Sequence, residues 1–249
     1  MMETRELEGM VSVVTGAAQG LGLGIACELA QRGAKVLLAD VQLVKAEAAC
    51  EKLRIKGMDV VAIELDITDS TEVKGFFSGI EQLDILVNNA ASGVMRPTTE
   101  LSVKHWDWTM NINARGPWML SVAASRLMPD GGRIINISSP GSTWVLPAYF
   151  AVGVSKAAIE AVTRYLAVEL GPKGIAVNTV SPGFVMTEAL NAFPDQLGIR
   201  DIASRPTPAG RTITPEDVSN VVAMLCSSDA EMIRGQVIIV DGGETLRHE

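Results

Sequence analysis

Short apolar runs alternate with longer helical patterns along the chain. The runs are "VSVVTG" (11–16), "KVLLAD" (35–40), "VVAIELDI" (60–67), "LDILVNN" (83–89), "GRIINIS" (132–138), "IAVNTVSPG" (175–183) and "GQVIIVDGG" (235–243). All are rich in Val, Ile and Leu, with little alternation of apolar and polar positions. That pattern marks strands covered on both faces, as in a parallel sheet. "GLGIACELAQRGA" (22–34), "KAEAACEKLRIKG" (45–57) and a stretch around 72–80 carry the spacing of helices between the first strands. Strict β-α alternation predicts an α/β fold: a doubly wound parallel sheet of about seven strands, with right-handed crossovers and helices on both faces. One stretch breaks the rhythm. Residues 184–212, with polar turns and three prolines, predict an insertion that closes over a substrate.

Composition narrows the classes. A chain of 249 residues suits one domain, 1–249, and 47% apolar with 20% charged residues is ordinary for a globular enzyme. The net charge of −8 argues against nucleic acid and anionic membrane as main partners. The three cysteines, Cys27, Cys50 and Cys226, are scattered without metal-ligand spacing and read as buried small hydrophobes in a reducing compartment. No apolar run reaches the roughly 20 residues needed to span a bilayer, and the charged N-terminus lacks a signal-peptide core, so a soluble cytoplasmic protein is expected.

The first strand runs into "TGAAQGLG", with Gly16, Gly20 and Gly22. Gly16 permits a tight turn. Gly20 and Gly22 let a pyrophosphate and the sheet approach, and the backbone N–H groups of Gly20 and Leu21 face the phosphates at a helix start. This is the dinucleotide-binding context of a Rossmann-like domain. Asp40 ends the second strand, 18 residues after Gly22. Its carboxylate suits the ribose hydroxyls of NAD(H) and repels the extra phosphate of NADP(H). Gln19 is neutral where a base would help bind that phosphate, so NAD(H) is expected over NADP(H). Asp40 read as a helix cap is the alternative. Asp66 and Ile67 close the third strand, where Asp66 meets an adenine edge or caps a helix. Asn88, Asn89 and Ala90 close the fourth, as cofactor contacts or as ties between strand ends.

"PAYFAVGVSKAAIEA" (147–161) holds Tyr149 and Lys156 with six residues between them. Seven helical steps return to nearly the same face, two turns on. Nicotinamide-dependent reductases of this general pattern usually place three residues between Tyr and Lys, and that rule points to Val152. Ser139 lies 13 residues before Val152. Tyr165, the only other tyrosine, falls in an apolar helical pattern and reads as core. His105 and His248 carry no metal or triad pattern.

In their order, "TGAAQGLG", "NNAA", "NIN", "IINISS", "SK", "VNTVSPG" and "IIVDGG" resemble the short-chain dehydrogenase/reductase family over nearly the whole chain. "NNAASGVMRP", "HWDWTMNIN", "YFAVGVSKAAIEAVTRYLAVEL" and "MIRGQVIIVDGG" look like its third bacterial type of enoyl-[acyl-carrier-protein] reductase, in which Tyr and Lys have six residues between them. The resemblance implies reduction of the C2–C3 double bond of an enoyl thioester, on acyl carrier protein or coenzyme A, with hydride from the nicotinamide cofactor. It implies fatty-acid synthesis and a homotetramer. Tyr149 would bind the thioester oxygen and Lys156 the nicotinamide ribose. Asn113 would support the lysine through water, or else serve helix packing, and Ser139 would line the pocket, or else satisfy backbone at the strand end. Pro182, Gly183, Val185 and Thr187 would hold the carboxamide and phosphates. Phe184, Met186, Leu190, Phe193 and Leu197 offer an acyl wall or pack a lid. The branch favours NADPH, whereas Gln19 and Asp40 favour NADH. A carbonyl or alcohol oxidoreductase, such as a 3-oxoacyl reductase, is the alternative activity.

Overall fold

The computed structural model describes residues 6–128, 131–187, 190 and 198–247. Seven parallel strands form one sheet in the order β3-β2-β1-β4-β5-β6-β7. They are β1 (Val11–Thr15), β2 (Lys35–Asp40), β3 (Val60–Glu64), β4 (Ile85–Asn88), β5 (Gly132–Ile137), β6 (Ile175–Pro182) and β7 (Val237–Val240). The order reverses between β1 and β4, which pair through Ser12 with Ile85 and Val14 with Val87. Such a reversal leaves a crevice beyond the strands' carboxyl ends, the usual ligand site of open α/β sheets.

The predicted strand cores hold, but β3 ends at Glu64, three residues short of the apolar run. Leu65 and Ile67 remain buried beyond it, with Leu65 N–H still donating to the Asp40 carbonyl of β2 at 3.2 Å. The helices are α1 (Gly20–Gln31), α2 (Leu43–Ile55), α3 (Ser70–Ser78), α4 (Val103–Met110), α5 (Gly116–Ala124), α6 (Phe150–Leu170), α7 (Ile199–Ser204) and α8 (Pro215–Cys226). A wide turn, Asn111–Arg115, joins α4 to α5. Local chemistry sets several starts. The Asp69 carboxylate accepts from the N–H groups of Thr71 and Glu72 ahead of α3, and Thr214 and Asp217 cap α8 reciprocally, with Pro215 at its first position.

Both faces of the sheet are covered. Val14, Leu38, Val87 and Ile135 pack against Ile25 and Leu29 of α1, Leu53 of α2, and Val222 and Leu225 of α8. Val13, Leu37, Leu86 and Ile134 point the other way, onto Phe77 of α3, Leu120 of α5 and Leu166 of α6. Successive residues of each strand thus serve opposite cores, which explains the near-continuous apolar runs. Each fully buried Leu or Ile contributes about 1.5–3 kcal/mol.

A buried polar chain crosses this apolar frame. Asn88 Nδ2 donates to Asn136 Oδ1 at 2.8 Å, Asn136 Nδ2 donates to Thr163 Oγ1 at 2.8 Å, and Thr163 and Thr179 hydroxyls lie 2.7 Å apart. This chain ties β4, β5 and β6 to α6 and sets how that helix lies against the strand ends. Asn88 is therefore a strut between elements. Tyr165 corrects an expectation. It is 72% exposed, because its position on α6 faces away from the sheet while Leu166 and Ala167 turn inward. Cys50 and Cys226 are buried, as expected, whereas Cys27 is only partly buried; all three are free thiols. Among the described residues no helix is long and apolar enough to cross a membrane, and no group of three metal-ligating side chains forms.

Candidate active site

The glycine turn after β1 is built for close approach. Gly16 and Gly20 have positive φ, 63° and 58°. A Cβ on Gly22 would collide with the Gly16 carbonyl oxygen and Asn89 Nδ2, whereas one on Gly20 would meet nothing within 4 Å. The turn is therefore tight on its sheet side and open on its outer side, where α1 begins. Asn89 Nδ2 donates to the carbonyls of Thr15 (2.9 Å) and Gly16 (3.1 Å), and Ala90 N–H donates to Thr15 Oγ1 (3.1 Å). Asn89 and Ala90 thus brace the turn from the end of β4.

Asp40 stands beside the same turn. Its carboxylate accepts from Ala18 N–H at 3.0 Å and from Gln42 N–H at 2.9 Å, so it shapes the turn as well as presenting charge there. Gln19 precedes α1, and Lys45 Nζ donates to its Oε1 at 3.3 Å. Lys45 is a cation near this end of the crevice with no motif to mark it in the sequence, because it lies in the first turn of α2, away from the usual motif positions. Asp66 accepts from Thr68 N–H and Oγ1, closing a local turn. The cap of α3 is Asp69, so Asp66 is not the helix cap. Ile67 is buried against Gly116. A cavity of about 470 Å³ opens nearby, lined by Val41, Glu64, Leu65, Asp66, Glu72 and Phe76.

The second half of the site forms where β5 ends and α6 begins. Tyr149 is the residue preceding α6, buried, with its hydroxyl donating to Ser139 Oγ at 3.2 Å. The same Oγ accepts from Gly141 N–H at 3.2 Å. Burial raises the Tyr149 phenol above its ordinary value, and the Ser139 bond partly opposes this. Lys156 lies buried inside α6, its Nζ donating to the Ile137 carbonyl at 2.8 Å. Burial pushes its ammonium down to about 8, opposed by the Glu160 carboxylate one turn further on. Glu160 is itself buried and accepts from Ser138 Oγ at 2.6 Å. Consecutive serines thus divide: Ser138 turns to Glu160, and Ser139 faces Tyr149.

Ala148 is the one non-glycine residue with positive φ (61°) among those described, and its carbonyl accepts from Arg96 N–H at 2.9 Å. The turn into Tyr149 is therefore set by backbone as well as by helix phase. Val152, at the position usual for the acid, is buried with its Cγ2 against Gly93. Asn113 Oδ1 accepts from Ser92 N–H at 2.9 Å, and its Nδ2 donates to the Ser92 carbonyl at 2.8 Å and Ser155 Oγ at 3.0 Å. In this structure it ties the loop after β4 to α6 next to the lysine and makes no direct bond to Lys156.

At the end of β6, Gly183 N–H donates to the Val240 carbonyl at 2.9 Å. A Cβ on Gly183 would meet Asp241 and Ile213, so this turn too is sterically closed. Pro182 and Val185 are buried, and Thr187 is half-buried. Leu190 packs with Ile199 and Ala203, and Phe184 joins this small cluster, while Met186 is exposed. Phe193 and Leu197 lie outside the described residues. The predicted insertion holds only the short α7 among its described residues. Ala148, Gly141, Gly153 and Glu160 were not singled out from sequence; only their packing around Tyr149 and Lys156 marks them.

Known proteins place this geometry. A family model described as enoyl-(acyl carrier protein) reductase matches residues 16–245. The chain is 33% identical to a D-threitol dehydrogenase of Mycolicibacterium smegmatis over 97% of its own length and 95% of the relative's. It superposes on a short-chain dehydrogenase/reductase mutant of Serratia marcescens with a TM-score of 0.87 and 33% identity, covering 96% of this chain and 99% of that one. A third protein, provisionally named an NAD(P)-dependent gluconate 5-dehydrogenase of Beutenbergia cavernae, carries bound NADP at low occupancy. It matches with a TM-score of 0.91 and 30% identity, over 98% of this chain and all of that one.

Proposed function

This chain belongs to the short-chain dehydrogenase/reductase family and is an oxidoreductase of that kind; from that premise we propose that it reduces the C2–C3 double bond of an enoyl thioester. The single observation that carries this reading is the seating of Tyr149. Its hydroxyl sits at Ser139, while Val152 fills the position of the usual acid.

The crevice fits a dinucleotide: the outer side of Gly20 is open, the helix start of α1 faces it, and Asp40 lies at its adenosine end. Gly16, Gln19, Gly20, Leu21, Gly22, Asp40, Asp66, Ile67, Asn89 and Ala90 would hold the adenosine and pyrophosphate. Lys156, Pro182, Gly183, Val185 and Thr187 would hold the nicotinamide half. When bound, the nicotinamide supplies the hydride. The chain's own residues do the rest. Tyr149 donates a hydrogen bond to the thioester oxygen, where charge develops as an enolate when hydride adds at Cβ, and a proton taken up at Cα completes the reduction. Lys156, with donors beyond the one given to Ile137, binds ribose hydroxyls and adds positive charge next to that oxygen. Asp40 supports a preference for NAD(H), since a second anion beside its carboxylate is unfavourable. Lys45 works against that preference.

The second reading is reduction of a ketone or oxidation of an alcohol. The names of the relatives favour it over the first, because they describe polyol and sugar-acid dehydrogenases. The acyl carrier, a cytoplasmic setting and assembly into a homotetramer belong to the proposal. The test is turnover of crotonyl-CoA against acetoacetyl-CoA with each reduced cofactor, alongside Tyr149→Phe. Crotonyl-CoA reduction lost in the variant supports the first reading. Turnover confined to acetoacetyl-CoA or simple ketones, or oxidation of simple alcohols with the oxidised cofactor, establishes the second.

A further inference from the structure

Two glycines near Tyr149 have no conformational reason to be glycine. Neither Gly141 nor Gly153 has a positive φ. Gly153 lies within α6, where glycine costs about 1 kcal/mol relative to alanine. Their surroundings supply a steric reason. A Cβ on Gly141 would fall within about 2.5 Å of Tyr149 Cδ1 and closer still to Cε1. A Cβ on Gly153 would lie 2.6 Å from the Gly141 carbonyl oxygen and 3.5 Å from Tyr149 Cδ1. Gly75, inside α3, is a useful contrast, since a Cβ there would meet nothing within 4 Å.

We propose that Gly141 and Gly153 are positioning residues that form a slot for the Tyr149 ring. Gly141 opens the slot from the turn after β5, and Gly153 opens it from the first turns of α6. With both side chains absent, α6 closes onto the turn and the ring edge lies flat against Gly141. The hydroxyl then reaches Ser139, whose Oγ is held by Gly141 N–H. The ring is rigid, so a methyl at 141 cannot be absorbed by a torsion of a flexible chain end. The ring must leave, and its hydroxyl leaves Ser139 with it. The catalytic consequence rests on the reading of Tyr149 as the group that meets the substrate oxygen. The slot itself does not.

The test separates the two. In a Tyr165→Phe background Tyr149 is the sole tyrosine, and its ionisation is read by phenolate absorbance. The parent is expected to titrate above the ordinary phenol value, and Gly141→Ala to move the midpoint back toward it. Gly141→Ala should also lower kcat about 100-fold, the scale of a 1 Å misplacement, with cofactor Kd within about threefold. Gly75→Ala should change neither. A urea-unfolding cycle supplies the second measurement: Gly141→Ala should destabilise the protein with Tyr149 present and lose that effect in Tyr149→Ala. Should Gly141→Ala not fold, Gly153→Ala carries the titration and the kcat measurement, because its Cβ would push the Gly141 carbonyl and the turn away from the ring, and Tyr149→Ala, which empties the slot, should then let the Gly141→Ala protein fold. An unmoved phenol titration, or equal destabilisation with and without the ring, overturns the slot. Full activity in Tyr149→Phe overturns the functional reading and leaves the titration and the cycle to decide the slot.

Discussion

Replacing Lys156 by Met should change how stability depends on pH in a way that isolates one buried charge. Burial lowers the ammonium from 10.5 to about 8, which corresponds to about 3 kcal/mol of destabilisation at pH 7, where the unfolded chain and the folded protein both hold the proton. The sign follows from linkage. Between about pH 8 and 10.5 the unfolded chain binds the lysine proton and the folded protein does not, so this contribution raises stability as pH rises. At pH 9.5 about 1 kcal/mol of the cost remains, so roughly 2 kcal/mol is recovered from pH 7. Buried thiols act oppositely. Burial pushes Cys226 up to about 12 and raises Cys27 and Cys50, so the unfolded state loses protons first and stability falls with alkalinity. Those contributions are common to both proteins and cancel in the comparison. Packing of the methionine and loss of the bond to the Ile137 carbonyl are independent of pH. The assay is urea unfolding of wild type and Lys156→Met without cofactor, at pH 7 and pH 9.5 and one protein concentration. The stability of the variant relative to wild type should fall by about 2 kcal/mol between the two. Parallel pH dependence would refute the argument, because it would mean the ammonium is solvated or fully compensated by Glu160.

Other consequences are sharper but simpler. Gly22→Ala should abolish cofactor binding, measured by nicotinamide fluorescence, because its Cβ would collide with the Gly16 carbonyl and Asn89. Asp40→Ser should weaken NADH binding and narrow any discrimination against NADPH; an unchanged ratio of dissociation constants would show that Asp40 serves only Ala18 and Gln42. Asp217→Ala removes the reciprocal cap of α8 and should cost about 1 kcal/mol in urea unfolding at pH 7. Hydrogen bonds from Arg211 lead in lowering the Asp217 carboxyl to about 2, so its contribution is complete above the ordinary carboxylate range and is lost as pH falls toward 2. The gap between wild type and Asp217→Ala should therefore close in acid.

The alternation of apolar runs with helical stretches determined the parallel sheet, its helices on both faces and the glycine turn, because strand burial and helix phase are local patterns written directly in residue order. The spacing of seven between Tyr149 and Lys156 was legible too, but the helix begins only at Phe150, so the turn through Ala148 as well as helix phase sets where the Tyr149 ring lies. Other parts needed the folded molecule. Whether Tyr165 was core depended on which side of α6 meets the sheet, and the structure turned it outward. Asn88 became a strut only once β4, β5 and α6 were neighbours. Ser138 and Ser139, adjacent in sequence and just past the end of β5 at Ile137, point to different partners, one to Glu160 on α6 and the other to Tyr149. The glycines at 141 and 153 look like turn and helix defects in the sequence. Their reason is a ring brought against them by packing, and a contact between separate elements has no signature in the order of residues along either one.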